Sequence, residues 1–412
     1  MKKVKDFLPI DPFTDMPIEP SQLSLLVDRE EEIKKLETII KSAASGFRQN
    51  AAILGKDGMG KTSLINYIYG KSKMEKEILP IKMEITQDST VQDIMNDLMR
   101  EMLDCMHFGL GSMVLSLLGK DASLKEIKGL LKGFETSKAT EISATIFSFV
   151  NISKRSEKTF KGAQDFNSLL NYLKGVTEFM PNRIKTIMLL IDEGEYVAKD
   201  NSANLLQSMR LLFQTSPFMV IIAGSPVLFD KLASIEPSFG NLFPEQNRII
   251  LKLLEIDDIK QLIIKRLDLI KKDLKGTIAP FTDDSLRVIL EYSAGNPRYI
   301  IRISSLSILK ALEAEQITSE HAKKASKEIL STMGRERFQR LESNDQNLLI
   351  KIGKMTAPSV TELARELSLD EATISRRLNQ LEELGYVRST RDGRKRIAIL
   401  EEPVKTFIES IT

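Results

Sequence analysis

The chain of 412 residues has no tryptophan, a single cysteine and only two histidines. One cysteine, Cys105, cannot form an internal disulfide. His107 and His321 lie far apart in sequence, so a metal centre built from cysteine and histidine is not expected. Such cysteine usage fits a reducing compartment. Long apolar runs are missing too. The longest candidate, Ile187 to Ile191, is strand-sized and far short of the roughly 20 residues a membrane helix needs. The start, MKKVKDFLPIDPF, is basic but has no apolar core behind it, unlike a secretory signal. A cytoplasmic protein with no membrane partner is expected.

Charge of one sign is also lacking. Lys and Arg number 59 against 57 Asp and Glu, so the whole chain is no polycation. The distribution is uneven, however. Arg376 to Arg396 holds seven Lys/Arg against three Asp/Glu. A local basic patch of this kind points to nucleic acid. The length exceeds one compact core and implies several domains.

The apolar pattern alternates strand and helix. Residues 1–28 read as an extended, Pro-rich arm, and a helix follows from Arg29 through Ile40. Strands are expected at Ala51–Leu54, Ile78–Ile85, Thr186–Ile191, Phe218–Ala223 and Arg248–Leu253. Strands separated by helices argue for a parallel sheet covered on both faces. The stretch from about 107 to 163 interrupts this order and reads as an insertion. It carries an apolar segment, Met113 to Leu118, and a strand-period run from Ile142 to Ile152. From 254 to 334 the pattern is helical, and Gly334 with its charged neighbours reads as a linker to a module at 341–412.

Between the first strand and the helix at Lys61 lies Gly55-Lys56-Asp57-Gly58-Met59-Gly60-Lys61-Thr62, which fits G-x-x-x-x-G-K-[ST] throughout. A random chain of this length would show that pattern about once in a hundred. Here the strand before it and the helix after it supply the required context. Amides of such a loop, through Ser63, point at phosphate oxygens, and the helix adds its positive N-terminal end. Lys61 reaches the β- and γ-phosphates, and the Thr62 hydroxyl ligates Mg²⁺. ATP or ADP with Mg²⁺ is the expected ligand.

A second acidic motif supports this. Met188-Leu-Leu-Ile-Asp192-Glu193 is an apolar strand ending in two carboxylates. Ligands bind at the carboxyl ends of strands in such sheets. Asp192 is expected to hold Mg²⁺, and Glu193 to polarise the attacking water. Beyond the next strand, Ser225 is open to two readings: a group hydrogen-bonding the γ-phosphate, or an ordinary strand-end turn.

These motifs resemble an AAA+ ATPase, in the region shared by the origin-recognition initiator clade and archaeal STAND-like ATPases, over nearly the whole chain. Leu26-Val27-Asp28-Arg29-Glu30 resembles the family's opening motif. The resemblance implies that Leu26, Val27 and Arg29 line the adenine pocket. Gly295-Asn296-Pro297-Arg298 resembles the second sensor of the lid, which implies that Arg298 reads the γ-phosphate. A surface arginine at a helix start is the other reading. Initiators usually carry Asn at the first sensor, where this chain has Gly224-Ser225. Neighbouring subunits often complete AAA+ sites with an arginine, for which Arg248 is the nearest candidate. The insertion falls where initiators carry a DNA-contacting element. Its Lys154, Arg155, Lys158 and Lys161 are either phosphate contacts or part of a solvated loop.

The C-terminal module reads as helix, helix, turn, helix, hairpin, the order of a winged helix. Ser343 with Gln346 and Ser359 with Glu362 form expected capping boxes. Asp392-Gly393 makes the hairpin turn. The third helix exposes Ser375, Arg376 and Asn379, which suit a major groove. The wing carries Arg388, Arg391, Arg394, Lys395 and Arg396, which suit phosphates or the minor groove. The expected fold class is therefore α/β: a P-loop NTPase (AAA+) parallel sheet core over 29–253, an all-α lid over 254–334, and a C-terminal winged helix-turn-helix. The expected function is an ATP-hydrolysing switch, of replication-initiator, mobile-element or regulatory type, that binds double-stranded DNA and assembles with itself or other proteins through its ATPase core. A STAND-like signalling ATPase whose winged helix contacts protein is the alternative.

Overall fold

The structure of the chain is a computed structural model. The structure describes residues 3–83, 85–86, 89–90, 94, 98, 101–102, 183–197, 203–271, 274–355, 357–393 and 395–412. Cys105, His107, the insertion at 107–163 with its four cations, and Arg394 lie outside the described residues. The chain divides into two compact units, one of residues 31–56 and 61–251, the other of residues 1–30, 57–60 and 252–412.

The first unit is built on a five-stranded parallel sheet. Its strands are β1 (Ala51–Leu54), β2 (Ile78–Met83), β3 (Thr186–Ile191), β4 (Phe218–Gly224) and β5 (Arg248–Ile250), in the order β2-β3-β4-β1-β5. β1, β3 and β4 are buried at every residue. That is why their sequences are unbroken apolar runs rather than alternating ones. The described core beside them draws on Leu212, Phe213, Phe239 and Phe243. Two strands are shorter than their sequence pattern: the ladders end at Met83 and Ile250, short of the expected Ile85 and Leu253.

In the second unit the arm is not simply extended. It holds a short helix α1 (Val4–Phe7) and a 3-10 segment at Pro20–Leu25. Val4, Leu8 and Phe13 are buried in the core of a helical bundle. The Val4 N–H donates to Ala314 O at 2.8 Å, and Lys3 and Lys5 pair with Glu313 at 2.6 and 2.7 Å. The chain then enters α2 (Glu30–Ala44), and the sheet unit adds α3 (Lys61–Ser72), α4 (Ala203–Gln214) and α5 (Leu228–Ile235).

The bundle itself comprises α6 (Ile256–Leu267), α7 (Asp283–Ser293), α8 (Pro297–Lys310) and α9 (Ser319–Gln339). α9 corrects the linker expected at Gly334. The helix runs unbroken through that residue, which is buried where a Cβ would overlap Pro403 O and lie 2.6 Å from the Phe407 Cβ. The glycine is there for close packing, not for chain reversal.

The winged-helix module follows with α10 (Ser343–Lys354), α11 (Val360–Leu367), α12 (Glu371–Glu383), the antiparallel pair β6 (Val387–Asp392) and β7 (Lys395–Leu400), and α13 (Val404–Ile411). Ser359 and Glu362 form the capping box expected of them. Ser343 does not cap: Glu342 occupies the N-cap, and Gln346 donates instead to Phe338 O and Leu341 O. The module's core includes Phe338 from α9, packed on Phe407 with ring centres 5.3 Å apart.

Candidate functional site

β1 ends at Leu54 and the glycine-rich loop begins. The Gly55 N–H donates to Gly224 O at 3.0 Å, so the loop starts as a continuation of the β1/β4 ladder. α3 begins at Lys61, placing Lys61, Thr62 and Ser63 in its first turn. Lys61 Nζ donates to Gly55 O at 2.9 Å and Lys56 O at 3.3 Å, which draws its ammonium back over the loop. Gly58 and Gly60 have φ of +81° and +92°, conformations that L side chains rarely adopt. A Cβ on Gly60 would meet nothing within 4 Å, so the glycine serves backbone geometry there.

Asp192 and Glu193 follow β3 at the same C-terminal sheet edge. They do not lie on the strand next to the loop's, because β4 intervenes. Two strand spacings, about 10 Å in all, separate the β1 and β3 backbones. Asp192 is half-buried and its Oδ1 accepts from the Glu193 N–H at 3.0 Å. Glu193 is exposed and has a left-handed φ of 51°. Ser225 is half-buried just past β4, and its N–H donates to the Glu195 carboxylate.

Glu195 and Tyr196 were not singled out from sequence. Gly224 lets Glu195 approach: a Cβ there would lie 3.2 Å from Glu195 Oε1 and 2.5 Å from Leu228 Cδ2. The Tyr196 N–H donates to Glu193 O at 3.0 Å, and the Glu193 charge above all pushes the Tyr196 phenol above its ordinary value. The only sequence signal for either residue is nearness to the acidic pair. Arg248 is occupied within its own unit. Its guanidinium donates to Phe243 O at 2.9 Å and Gly240 O at 3.2 Å and stacks 4.4 Å over Phe229. That engagement removes the reason to single it out as a group supplied to a neighbouring subunit.

The tip of the loop, residues 57–60, belongs to the second unit. Asn296 caps α8, accepting from the Arg298 N–H at 3.0 Å, and its Nδ2 donates to Asp57 O at 2.8 Å. The Arg298 N–H also lies 3.3 Å from Gly58 O, while its side chain is exposed. Arg29, only 5% exposed, donates to Lys252 O at 3.0 Å and Met59 O at 3.4 Å, beside a contact to Asp28 O. Its guanidinium thus grips backbone carbonyls, a role the sequence reading did not give it. Leu26 and Val27 are half-buried; Leu26 O accepts from Lys265 Nζ at 2.7 Å and Val27 packs on the bundle core.

In the winged helix, α12 exposes Arg376 and Asn379, with Ser375 half-buried beside them. Arg391 and Lys395 are exposed on the wing, and Arg388 pairs with Glu401 at 3.2 Å while remaining 62% exposed. Arg396 stands apart from these. It donates to Ser389 Oγ at 2.8 Å and Glu382 Oε2 at 2.9 Å, and Glu382 also accepts from the Ser389 N–H at 2.8 Å. Arg396 therefore braces the wing against α12.

Fold and motifs together define a P-loop NTPase core joined to a C-terminal winged helix. Residues 29–231 match the KAP family P-loop domain, and residues 348–396 match the MarR family. Over 396 residues the chain is 26% identical to an uncharacterized HTH-type transcriptional regulator of Methanocaldococcus jannaschii, covering 95% of this chain and 90% of that protein. Its fold is similar to that of the Aeropyrum pernix ORC1 protein in complex with DNA, with a TM-score of 0.53, 14% identity and coverage of 99% and 96% of the two chains. It is also similar to the Aeropyrum pernix ORC2 protein in its ADPNP-ADP complexes, with a TM-score of 0.61, 13% identity and coverage of 97% and 96%. At these identities the likeness is one of fold. The AAA+ resemblance drawn from the sequence stands at that level, and the KAP and MarR matches were not foreseen. Among the described residues no helix is long and apolar enough to cross a membrane.

Proposed function

We propose that the chain is an ATP-binding and hydrolysing switch that binds double-stranded DNA through its winged helix. Amides from Gly55 to Ser63, with Lys61, would hold the triphosphate. Thr62 and Asp192 would hold Mg²⁺, which supplies charge neutralisation at the phosphates when bound. Glu193 would act as general base, with Ser225 and Arg298 responding to the γ-phosphate and Leu26 and Val27 against the adenine. The glycine conformations at 58 and 60 support this ligand, since they suit a backbone that turns amides inward. Ser375, Arg376 and Asn379 would read a major groove, and Arg388, Arg391 and Lys395 would meet phosphates. Replication-initiator, mobile-element and regulatory roles all suit such a switch, as do self-assembly through the sheet unit and a cytoplasmic location.

The observation that carries the reading is a shared one. The loop tip and the winged helix fall in the same compact unit, so the nucleotide loop and the candidate DNA-reading helix have common supports. The test is duplex binding by fluorescence anisotropy across a salt series, with and without ATP. Affinity should fall steeply with salt and change when ATP is added. A second reading, docking on a protein, is favoured by Leu369 and Leu384, which flank α12 and are 43% and 56% exposed. Absence of duplex binding at low salt would select it.

A further inference from the structure

Three successive carbonyls of the loop tip are held from one unit. Asp57 O accepts from Asn296 Nδ2, Gly58 O from the Arg298 N–H, and Met59 O from Arg29 Nη2. In a planar trans peptide the carbonyl and the next residue's N–H point in opposite directions. Holding those three oxygens therefore turns the N–H groups of Gly58, Met59 and Gly60 the other way. Such amides form the lining of an anion cradle. The grip is close. A Cβ on Gly58 would lie 2.6 Å from Asn296 Oδ1 and 2.8 Å from the Arg298 Cβ, so glycine at this variable position of the motif is needed for the approach as well as for its φ. Asn296 and Arg29 are 8% and 5% exposed, so both polar groups are buried at the tip they hold.

We propose that Asn296 and Arg29 are positioning residues for the triphosphate, setting the loop's inward amides before the nucleotide arrives. The inference rests on the nucleotide-binding reading. Neither residue needs to touch the ligand. Their effect is preorganisation, which raises affinity by removing the ordering a loose loop would undergo on binding. It acts at the phosphate end, so it applies equally to ATP, ADP and adenine-free tripolyphosphate.

Asn296 also caps α8, and the test must separate the two roles. Serine is a good N-cap but is too short to reach Asp57 O. In the full chain, Asn296→Ser should bind ATP, ADP and tripolyphosphate about tenfold more weakly by calorimetry, the loss of roughly one buried hydrogen bond. Amide exchange at residues 57–60 should quicken while α8 stays protected. Arg29→Lys keeps the charge but loses the planar group that reaches Asp28 O through Nη1 and Met59 O and Lys252 O through Nη2, and it should weaken the same three ligands. Arg29→Lys also stands as the test should Asn296→Ser not fold. Lys61→Ala is the control. If it loses binding while Asn296→Ser and Arg29→Lys bind tripolyphosphate like wild type, the positioning roles are overturned and the nucleotide reading stands. If Lys61→Ala itself binds like wild type, the nucleotide reading falls and takes this inference with it.

Discussion

Arg337 Nη2 donates to the carbonyl oxygen of Leu384 at 2.6 Å, the residue that closes the candidate DNA-reading helix. The same group lies 3.3 Å from Gly385 O, and the guanidinium sits 4.6 Å from the centre of the Tyr386 ring. The Tyr386 hydroxyl donates back to Arg337 O at 3.0 Å. Burial pushes the Tyr299 phenol above its ordinary value, against the pull of the Arg337 and Arg298 charges. Tyr299 follows Arg298, whose N–H meets Gly58 O. One arginine thus touches the end of α12, and its charge acts on Tyr299, the chain neighbour of a residue at the glycine-rich loop.

Removing that arginine should uncouple the two ends. In Arg337→Met, ATP affinity without DNA should stay within about threefold of wild type, while the effect of ATP on duplex affinity, typically 1–3 kcal/mol for coupled sites, about vanishes. Anisotropy titrations with and without ATP read this directly. An unchanged ATP effect would show that coupling takes another route.

Glu193 and Lys61 should separate turnover from binding. Glu193→Gln keeps the hydrogen-bonding shape but cannot accept the water's proton, so phosphate release should fall about 100-fold or more while ATP binding persists. Lys61→Ala should lose binding. Hydrolysis by Glu193→Gln at the wild-type rate would remove Glu193 from the role of base.

Gly334 offers a test of packing against propensity. At an open helix position, Gly→Ala stabilises by about 1 kcal/mol. Here the new Cβ would strike Pro403 O and Phe407. Gly334→Ala should therefore destabilise by about 1–3 kcal/mol, read as a lower denaturation midpoint. A stabilised variant would mean that α13 packs more loosely than described.

The wing brace should respond to acid. Burial of Glu382 opposes its charge, yet hydrogen bonds from Ser389 and Arg396 outweigh it and hold the carboxyl below its ordinary 4.5. A lowered folded pKa gives stability that is present above the unfolded value and lost as pH falls through the folded one. Below pH 4.5 the wild-type melting temperature should therefore fall more steeply than that of Glu382→Gln, measured calorimetrically. Parallel curves would mean that Glu382 does not hold the wing. By contrast Arg376→Ala should leave stability unchanged while weakening duplex binding by about 1–3 kcal/mol and relaxing specificity at one base position.

What could be read from sequence was what the chain encodes locally. β3 and β4 announce themselves as apolar runs because both faces are covered, and the loop motif fixes where α3 begins. What could not be read depends on distant partners. Asn296 and Asp57 are far apart in the chain, and no local pattern marks an asparagine cap as a hand on a loop. Gly334 looked like a break because glycine is a poor helix former, and packing against Pro403 and Phe407 overrode that preference. Arg396 looked like a free cation because its acidic partner, Glu382, sits on the preceding helix. The arm looked unstructured because Val4, Leu8 and Phe13 are too sparse to show a period.

The unbroken α9 bears on how such chains can be recombined. A cut at residue 341 would leave Phe338 behind and strip the winged helix of an aromatic from its interior. The excisable piece has to begin upstream, near Ser319, and so brings a helix of the neighbouring bundle with it. Any exchange of the winged helix between relatives by shuffling gene segments would have to carry that helix as well.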